Sequence, residues 1–473
     1  MAHQAHLAMA SSKGAQARPL RPPRVLLAAG GTGGHVYPAV AVADALVAKR
    51  KDVKVAFVGA DPPREEARAV SNAGYGVPWK VPAPRMKLDW TFPWRATRAV
   101  VLAMRHLVRF RPDVVVGTGG YVAAPTCVAA AILRVPLLLL EPNARPGKTN
   151  RWLARIAKRT CVAFPEAIHH LPGPEKVLVT GTPTRTSVHS ASEREKANAK
   201  MELLYGEEHK ETNVESDGQI EVVCVFGGSL GAAKINQAVM DAFPGWLDGS
   251  GVFLLWQTGP NHYQDVLRGL ELSSRAEPWE GEQPVQGNEF FAVATEARSL
   301  PRRYSDAHDQ EGKTVSLKRI HRNNDKDCSK MKVVPFLDRV DLAYAAADVV
   351  VARAGAITCA ELLAAGLPSI LVPAPNVAED HQTFNARAME RAGASIMVRD
   401  RDLDDGVLES AVVELLQDRI KRQEMGQSAL KAARPDAANR VAQEILLLAA
   451  MQQEKQRRQW GWLRSLHENA LRN

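Results

Sequence analysis

The residues of this sequence best suited to chemistry lie in two glycine-rich loops, each between an apolar run and a helix-like run. The first loop reads Gly-Gly-Thr-Gly-Gly-His over residues 30–35, and the second reads Gly-Gly-Ser-Leu-Gly over residues 227–231. Glycines let backbone N–H groups approach a phosphate closely, and the N-terminus of a following helix favours negative charge. One such loop is often only a tight turn, but two of them predict two α/β domains with a phosphorylated ligand between them.

Two common phosphate-binding motifs do not fit these loops. The dinucleotide pattern G-x-G-x-x-G fails because Val36 occupies the third glycine position when the pattern starts at Gly31. The P-loop pattern fails because no Gly-Lys-Ser or Gly-Lys-Thr follows either loop. The loops therefore indicate a phosphorylated ligand without specifying a dinucleotide or a nucleoside triphosphate.

The composition is that of a globular protein, and its charge favours an anionic partner. With 473 residues the chain is long enough for two domains, and its formal net charge is +9. Such a charge suits an acidic membrane surface, a phosphorylated substrate or nucleic acid, but the sequence contains no nucleic-acid recognition motif. The five cysteines include no C-x-x-C pair, which favours a reducing compartment and argues against structural zinc. Cys127, Cys224 and Cys359 lie in apolar runs and are expected in the core.

Strand-like and helix-like segments alternate in two blocks, from residue 25 to about 183 and from about 220 to 398. Alternation of this kind predicts an α/β fold with two doubly wound parallel sheets, whose ligands bind beyond the carboxyl ends of the strands. The predicted strands are Val25–Ala29, Val53–Val58, Val114–Val116, Leu137–Leu140, Val177–Val179, Glu221–Phe226, Val252–Gln257, Val333–Pro335, Asp348–Val351 and Ser369–Val372.

The remaining segments lead to a division into five parts. Residues 1–24 form a basic leader, either disordered or part of a targeting peptide, and 25–187 form the first domain. Residues 188–218 form a polar linker or insertion, with helical character or disordered. Residues 219–400 form the second domain, which carries a predicted surface insertion at about 272–331. Residues 401–473 are predicted to form helices and a basic tail that carries Trp460 and Trp462.

A basic segment with aromatic residues, Arg85–Arg111, has two interpretations. It combines seven arginines or lysines with Trp90, Phe92 and Trp94. It is either a surface that lies on an anionic bilayer or a helix packed on the sheet with a solvated basic face. No apolar run approaches the ~18–20 residues that a membrane-spanning helix needs.

Several further motifs occur together with the glycine loops in one order along the chain. With them, the sequence resembles glycosyltransferase family 28, and within it the MurG family of N-acetylglucosaminyltransferases, over about residues 25–400. The matching segments are Gly-Gly-Thr-Gly-Gly-His (30–35), Gly-Gly-Tyr (119–121), Glu-Pro-Asn (141–143), Gly-Thr-Pro-Thr-Arg (181–185), Gly-Gly-Ser-Leu-Gly-Ala (227–232), Pro-Phe-Leu-Asp (335–338), Arg-Ala-Gly-Ala-Ile-Thr-Cys-Ala-Glu (353–361) and Glu-Asp-His-Gln-Thr-Phe-Asn (379–385).

The resemblance implies a GT-B fold, in which two Rossmann-like domains face each other across a cleft. It implies transfer of N-acetylglucosamine from UDP-N-acetylglucosamine to the 4-hydroxyl of a lipid-pyrophosphate-linked muramyl peptide, with inversion at the anomeric carbon. No metal or other cofactor and no nucleic acid are expected. The expected location is the cytoplasmic face of a bacterial membrane, or the stromal side of a plastid membrane if residues 1–24 belong to a transit peptide.

The resemblance also assigns roles to individual residues. His35 is the candidate general base, since a pKa of about 6.5 suits that role, although a structural histidine that caps the helix is the alternative. Arg185 is expected to bind phosphate and Glu361 to accept the ribose hydroxyls; their alternatives are a surface salt bridge and an acid that stabilises a helix dipole. The other residues expected at the donor site are Thr32, Gly33, Gly34, Asn143, Ser229, Leu337, Ala356, Ile357, Thr358, Gln382 and Asn385.

Three positions depart from the family pattern and leave the acceptor less certain than the donor. Leu230 replaces a glutamine, Thr182 an asparagine and Pro142 a glutamine. A related GT-B enzyme that glycosylates diacylglycerol would share the nucleotide motif but usually lacks Gly-Gly-Thr-Gly-Gly-His. A non-catalytic, membrane-bound homologue is the other alternative. Four retained residues argue against it: His35, Arg185, Glu361 and Gln382.

Overall fold

The computed structural model describes residues 21–30, 33–62, 65–82, 90–184, 188–205, 220–228, 230–246, 251–275, 292–295, 314–317, 330–337 and 339–470. Two sheets of mainly parallel strands, with helices on both faces, dominate it. The predicted α/β architecture with two Rossmann-like domains is confirmed. Each strand predicted from an apolar run is present, with ends that differ by a few residues.

The first sheet has seven parallel strands in the order β3-β2-β1-β4-β5-β6-β7. Its central strands are continuous apolar runs because both faces are covered by helices; Val25, Leu26 and Leu27 are fully buried. The strands are β1 (Arg24–Ala28), β2 (Lys54–Asp61), β3 (Trp79–Pro82), β4 (Val114–Gly117), β5 (Leu137–Glu141), β6 (Arg159–Val162) and β7 (Val177–Val179). The helices are α1 (Gly33–Lys49), α2 (Glu65–Asn72), α3 (Phe92–Phe110), α4 (Gly120–Ile132) and α5 (Lys148–Leu153).

The second sheet has eight strands in the order β10-β11-β12-β9-β8-β13-β14-β15. Its strands are β8 (Glu221–Phe226), β9 (Val252–Gln257), β10 (Ala292–Thr295), β11 (Thr314–Leu317), β12 (Lys330–Val334), β13 (Val349–Ala352), β14 (Ser369–Leu371) and β15 (Ser395–Met397). The helices of this part of the chain are α6 (Glu193–Tyr205), α7 (Ala233–Trp246), α8 (Tyr263–Arg275), α9 (Val340–Ala346), α10 (Ala356–Ala365), α11 (His381–Arg391), α12 (Val407–Gln417), α13 (Arg419–Ala432) and α14 (Ala437–Ala470).

The segment predicted as a surface insertion contributes the edge of the second sheet. Strands β10 and β11 pair antiparallel with each other, and β11 pairs antiparallel with β12. Neither strand was predicted from the sequence, because each is only four residues long and lies in a segment rich in polar residues. The remaining residues of 276–329 lie outside the described ranges.

The segment predicted as a polar linker contains helix α6, which packs on the second domain. Ala199 and Leu203 of this helix are buried in the core that also contains Val222 and Val350. Lys196 and Lys200 both form ion pairs with Asp348, at 2.6 and 2.7 Å. The helical alternative therefore holds for Glu193–Tyr205, while residues 206–219 are outside the described part.

The C-terminal helices divide between the two domains. Helices α12 and α13 pack on the second domain, whereas α14 returns to the first domain and packs on α1. Val441 and Ile445 of α14 are buried in the first-domain core, and Gln453 donates to the buried carboxylate of Asp113 at 2.9 Å. The chain therefore crosses between the domains after β7 and again between α13 and α14.

The predicted core cysteines Cys127, Cys224 and Cys359 are buried. None of the described helices combines the length and the apolar character needed to cross a bilayer.

Candidate active site

The loop that follows β5 in the first domain contacts helix α11 of the second domain and the turn just before it. The backbone N–H of Ala144 donates to Oδ1 of Asn385 at 2.8 Å, and the N–H of Lys148 donates to Oε1 of Glu379 at 2.9 Å. The guanidinium of Arg145 lies 4.6 Å from the ring centre of Phe384. These contacts join the carboxyl end of β5 to the start of α11 and bring the predicted site residues of both domains together.

His35 lies in the first turn of α1, with its imidazole directed at the end of β4. Its Nδ1 lies 2.7 Å from the carbonyl oxygen of Thr118. A carbonyl only accepts hydrogen bonds, so Nδ1 carries the proton and Nε2 of the neutral ring has a free lone pair. Burial lowers the pKa of His35, and His381 of α11 lowers it further by charge repulsion. This histidine is held in the state that a general base requires.

Two glycines after β4 leave room for the imidazole. Gly119 and Gly120 have φ values of +95° and +75°, and a Cβ on either would lie within 3.2–3.4 Å of the His35 ring. Positive φ is strained for other residues. The Gly-Gly-Tyr motif therefore serves to hold the backbone against the histidine.

Glu141 organises the loop that carries Asn143. Its buried carboxylate accepts four hydrogen bonds, from the N–H and Nδ2 of Asn143, the N–H of Gly147 and Nδ2 of Asn150, at 2.9–3.2 Å. Burial raises the pKa of Glu141, and these donors offset part of that effect. No individual role was predicted for Glu141 from the sequence. The sequence feature that could have indicated a role is the position of this acidic residue directly after a run of four leucines.

Asn385 joins three segments at the domain junction. It is fully buried, and its Nδ2 donates to Oδ1 of Asn143 at 3.2 Å and to the carbonyl of Ala354 at 3.1 Å, while its Oδ1 accepts from Ala144. Asn143 and Asn385, both predicted at the donor site, are thus brought together, and Asn385 makes its hydrogen bonds within the protein.

Gln382 lies one turn before Asn385 on α11. Its Oε1 accepts from the backbone N–H of Ala374 at 2.9 Å. The donor group of the same amide, Nε2, does not take part in that bond. Glu379 and Asp380 just before the helix have φ values of +59° and +55°. The loop after β14 is therefore held by Gln382 on one side and by the Glu379 contact to Lys148 on the other.

The second glycine loop is packed tightly against the loop after β9. Gly228 and Gly231 have φ values of +89° and +83°, and a Cβ on Gly231 would lie 2.1 Å from the carbonyl of Thr258. Gln257 donates to the carbonyl of Gly228 at 3.2 Å. These glycines are required by the close approach of two backbones, which places the N-terminus of α7 at the carboxyl edge of the sheet.

Helix α10 begins at the same edge, and its first turn contains the predicted residues Ala356, Ile357 and Thr358. The N–H groups of a first helical turn have no partner within the helix and suit an anion. Arg353 lies just before this turn. Its Nη1 is 2.5 Å from Asp400 and donates to the carbonyls of Val372 and Pro373. No individual role was predicted for Arg353 from the sequence.

Glu361 lies in the second turn of α10 and is 6% exposed. The hydroxyl of Tyr344 donates to its Oε2 at 3.3 Å. Burial raises the pKa of Tyr344, and the Glu361 carboxylate raises it further. The second turn of α10 is compatible with both predicted roles of Glu361, the ribose contact and the acid that stabilises the helix dipole.

The other predicted residues are placed as follows. Gly33 and Gly34 open α1, and Leu337 is partly buried against the second-domain core. Thr32, Arg185 and Ser229 lie outside the described residues. Among the residues that are described, no cluster of three His, Cys, Asp or Glu side chains is arranged to hold a metal ion.

Two family models match this chain. Residues 25–162 match the glycosyltransferase family 28 N-terminal domain, and residues 292–441 match the glycosyltransferase family 28 C-terminal domain. These matches contain His35 and Glu141 in the first domain and Glu361 and Asn385 in the second.

Similar proteins cover almost the whole chain. A Salinibacter ruber protein named UDP-N-acetylglucosamine--N-acetylmuramyl-(pentapeptide) pyrophosphoryl-undecaprenol N-acetylglucosamine transferase is 38% identical over 437 residues, which are 91% of this chain and 98% of that protein. A Desulfitobacterium hafniense protein of the same name is 33% identical over 433 residues, 89% of this chain and 98% of its own.

Solved structures share the fold. The crystal structure of Acinetobacter baumannii MurG has a TM-score of 0.63 and 25% identity, covering 90% of this chain and 99% of that one. A UDP-GlcNAc 2-epimerase from Neisseria meningitidis bound to UDP-GlcNAc, at 12% identity, a TM-score of 0.56 and coverage of 90% and 99%, shares only the fold. The matched domains, the near-complete coverage by relatives and the two-sheet architecture establish that this chain belongs to glycosyltransferase family 28, within its MurG family of N-acetylglucosaminyltransferases.

Proposed function

We propose that the protein transfers N-acetylglucosamine from UDP-N-acetylglucosamine to the 4-hydroxyl of the muramyl sugar of lipid I, which gives lipid II in peptidoglycan synthesis. The observation that carries this proposal is His35, a neutral imidazole with a free Nε2 at the junction of the two domains. An inverting transfer needs such a base beside the attacking hydroxyl and an anion site for the departing UDP.

The donor binds mainly to the second domain. The first turn of α10 and the glycine loop before α7 supply backbone N–H groups for the pyrophosphate. Gln382 lies beside the loop after β14, from which its Nε2 reaches the sugar, and Glu361 accepts from the ribose hydroxyls. Asn143, fixed by Glu141 and Asn385, presents the first-domain loop to the donor sugar.

The reaction is a single displacement in this scheme. Nε2 of His35 takes the proton of the muramyl 4-hydroxyl as its oxygen bonds to the anomeric carbon of the donor. The bond from that carbon to the UDP oxygen breaks, and the negative charge that develops on UDP is stabilised by the helix N-termini. The product is a β-linked disaccharide, since displacement from the opposite face inverts the α-linked donor.

A turnover assay with UDP-N-acetylglucosamine and a lipid I analogue tests this function. The expected products are UDP and a β-1,4-linked disaccharide, with no transfer to an analogue that lacks the 4-hydroxyl. Efficient transfer to diacylglycerol instead would favour the alternative of a glycolipid glycosyltransferase. Tight UDP binding with no transfer to either acceptor would favour the non-catalytic homologue.

The acceptor of this reaction is anchored in a bilayer, and helix α3 provides the surface for docking. Trp90 and Trp94 at its start are 93% and 75% exposed, and Val101 and Val108 are exposed further along. Val101 and Val108 line a shallow surface depression together with Arg105 and Arg109. Aromatic and apolar side chains beside cations suit an anionic membrane surface. Ala99, Ala103 and Leu107 of the same helix are buried, so the interpretation as a packed helix holds for that face, and the proposed docking uses the opposite, exposed face.

With this docking, the protein is a peripheral membrane protein on the side of the membrane where UDP-sugars are available. In a bacterium that side is the cytoplasmic face, and in a plastid it is the stromal side. Fractionation of cells with and without a salt wash tests the location. Release of the protein by salt is expected, because attraction between exposed cations and anionic headgroups is screened by ions.

A further inference from the structure

Two consecutive residues just before helix α11 have a backbone conformation that side chains rarely adopt. Glu379 and Asp380, called here the junction turn, have φ values of +59° and +55°. This left-handed conformation costs free energy for every residue except glycine, and it persists only where other contacts hold it. The contacts of the junction turn therefore decide the conformation of the loop that leads into α11.

The two residues of the junction turn are held from different domains. The carboxylate of Asp380 accepts from the hydroxyl of Thr383 at 2.5 Å, and its N–H donates to the carbonyl of Val377 at 3.2 Å, both within the second domain. Oε1 of Glu379 accepts from the backbone N–H of Lys148 in the first domain, at 2.9 Å. The conformation of Glu379 is thus stabilised by a contact that exists only while the two domains touch.

The donor of this contact lies at the start of a helix. Lys148 is the first residue of α5, after Gly147 at the N-cap position, and the first N–H groups of a helix have no acceptor within the helix. The helix dipole also favours a carboxylate beside the N-terminus. The Glu379 carboxylate therefore suits this position through both its charge and its hydrogen bond.

The same end of α5 borders the residues around His35. The N–H of Gly147 donates to the carboxylate of Glu141 at 3.2 Å, and Nδ2 of Asn150 donates to it at 2.9 Å. A Cβ on Gly119 would lie 3.1 Å from Nδ2 of Asn150 and 3.2 Å from Cε1 of His35. The start of α5 thus connects the junction turn of the second domain with the surroundings of the candidate base.

The junction turn also belongs to the loop that Gln382 closes. This loop begins at Ala374, whose N–H donates to Oε1 of Gln382 at 2.9 Å, and it ends at the start of α11. A change of φ at Glu379 would move the chain between these two ends. It would thereby alter the approach of the loop to a sugar bound at Gln382.

We propose that Glu379 is a positioning residue for the donor sugar, because the hydrogen bond from Lys148 sets the junction turn when the domains meet. This inference rests on the proposed function, in which Gln382 contacts the N-acetylglucosamine group. Contact between the domains then shapes the sugar site, whereas the nucleotide sites at α10 and at the second glycine loop do not depend on it. The donor sugar is placed relative to His35 by the helix end that borders the base.

Replacement of Lys148 by proline or alanine tests this contact. Lys148→Pro removes the N–H but suits the first position of a helix, and Gly147 before it is extended, with φ of −64° and ψ of 153°, as a residue before proline should be. Lys148→Ala keeps the N–H and is the matched control. In calorimetry, Lys148→Pro should bind UDP-N-acetylglucosamine about tenfold more weakly than Lys148→Ala, the scale of one hydrogen bond to a charged group. Both should bind UDP equally.

Variants of Glu379 separate the backbone strain from the hydrogen bond. Glu379→Ala keeps the strained φ without the acceptor and should lose affinity for the sugar nucleotide as Lys148→Pro does. Glu379→Gly removes the strain, so it should bind UDP-N-acetylglucosamine more tightly than Glu379→Ala. Arg391→Gln removes the ion pair with Glu166 at the other end of α11. It is the control for weaker contact between the domains and should leave both affinities unchanged.

Two results would overturn the positioning role. One is equal affinity of Lys148→Pro and Lys148→Ala for UDP-N-acetylglucosamine, and the other is an equal loss of affinity for UDP, which would indicate general damage to the second domain. The contact is also measured without a ligand. Lys148→Pro and Glu379→Ala remove the same hydrogen bond, so their shifts of the urea midpoint should not add, and additive shifts would overturn the contact. A wild-type protein that binds UDP but not UDP-N-acetylglucosamine would instead count against the proposed function.

Discussion

Nδ1 of His35 lies 2.7 Å from the carbonyl oxygen of Thr118, a contact that joins the first turn of α1 to the end of β4. The hydrogen bond fixes both the orientation of the ring and its tautomer, so that Nε2 is the atom available to remove a proton. A backbone acceptor, in contrast to a carboxylate, orients the ring without favouring the imidazolium as strongly.

The pH dependence of turnover follows from this environment. Burial and His381 lower the pKa of His35, so the base stays neutral below its ordinary pKa of about 6.5. The acid limb of kcat/KM is therefore expected to have an apparent pKa below about 6.5. The same shift means that the unfolded chain binds the proton more tightly, so His35 also costs stability as the pH falls below that value.

Replacement of His35 separates chemistry from binding. His35→Ala should lower turnover by about 10²–10⁴, the usual contribution of a general base, with little change in the UDP affinity. Stopped-flow or steady-state release of UDP measures the first quantity and calorimetry the second. Near-normal turnover in this variant would assign the base to another group.

The fit of the glycines against His35 predicts a specific positional effect. Gly120→Ala places a methyl group 3.4 Å from Cδ2 of the imidazole at a residue with φ of +75°. The strained backbone should cost about 1 kcal/mol of stability, and the displaced ring should lower kcat by about tenfold or more because small misplacement of a base is costly.

Gly76→Ala is the matched control for this experiment. Gly76 has φ of +77°, and a Cβ there meets nothing within 4 Å. Both variants should lose similar stability in chemical denaturation, but only Gly120→Ala should lose turnover. Equal turnover in the two variants would remove the positioning role from the Gly-Gly-Tyr motif.

The hydrogen bonds of Asn385 predict the effect of its removal on the domain junction. Asn385→Ala leaves the N–H of Ala144 and the carbonyl of Ala354 without partners at a buried site. The expected cost is about 1–3 kcal/mol per unsatisfied group, less whatever water recovers. Denaturation with urea measures this cost, and Arg387→Ala at an exposed position of α11 should change stability by under about 0.5 kcal/mol. A similar small change in Asn385→Ala would show that the junction does not depend on it.

Glu361 offers a test that distinguishes a ribose contact from a structural role. If its carboxylate accepts from the ribose, Glu361→Ala should weaken UDP binding by about 1–3 kcal/mol. The loss should disappear when 2′-deoxy-UDP or 3′-deoxy-UDP replaces UDP, whichever lacks the contacted hydroxyl. Tyr344→Phe, which removes one hydrogen-bond donor to the same carboxylate, is expected to keep the nucleotide affinity. An equal loss of affinity for all three nucleotides would support a structural role for Glu361.

Local patterns predicted the long strands but not the contacts that assemble the site. The apolar runs of β1, β5, β8 and β9 are continuous because helices cover both faces of each sheet, and this pattern is visible in the sequence. Strands β3, β6 and β15 were missed because they are three or four residues long and mix polar with apolar residues. Their pairing depends on neighbouring strands and not on their own composition.

In the candidate site, too, features set by neighbouring residues were predictable and long-range contacts were not. Placement of His35 after a glycine loop was predictable from residues adjacent in sequence. The contact of Asn385 with Asn143 joins residues 242 positions apart, and the return of α14 to the first domain depends on the surface that α1 leaves uncovered. Such long-range pairings leave no periodic signal in one sequence, although the motif match indicated that these residues belong to one site.

Docking on membranes through helix α3 is the last prediction. Arg98, Arg105 and Arg109 are exposed on this helix, and each cation near an anionic surface contributes about 1 kcal/mol. Sedimentation with vesicles that contain anionic lipid should show binding that weakens as salt rises, because the Debye length shortens from ~10 Å at 0.1 M to ~3 Å at 1 M. Changing the three arginines to glutamate should abolish this binding, and Trp90→Ala with Trp94→Ala should weaken it at all salt concentrations.

Lys49, Lys51 and Lys54 provide the matched control, since they are exposed cations of the same domain where α1 ends and β2 begins. Changing them to glutamate produces the same change in net charge as the arginine variant. If long-range attraction of the whole protein caused the binding, both triple variants would lose it equally, and α3 would not be the docking surface. Loss confined to the α3 variant, with UDP affinity intact in both, is the result expected when this helix contacts the bilayer directly.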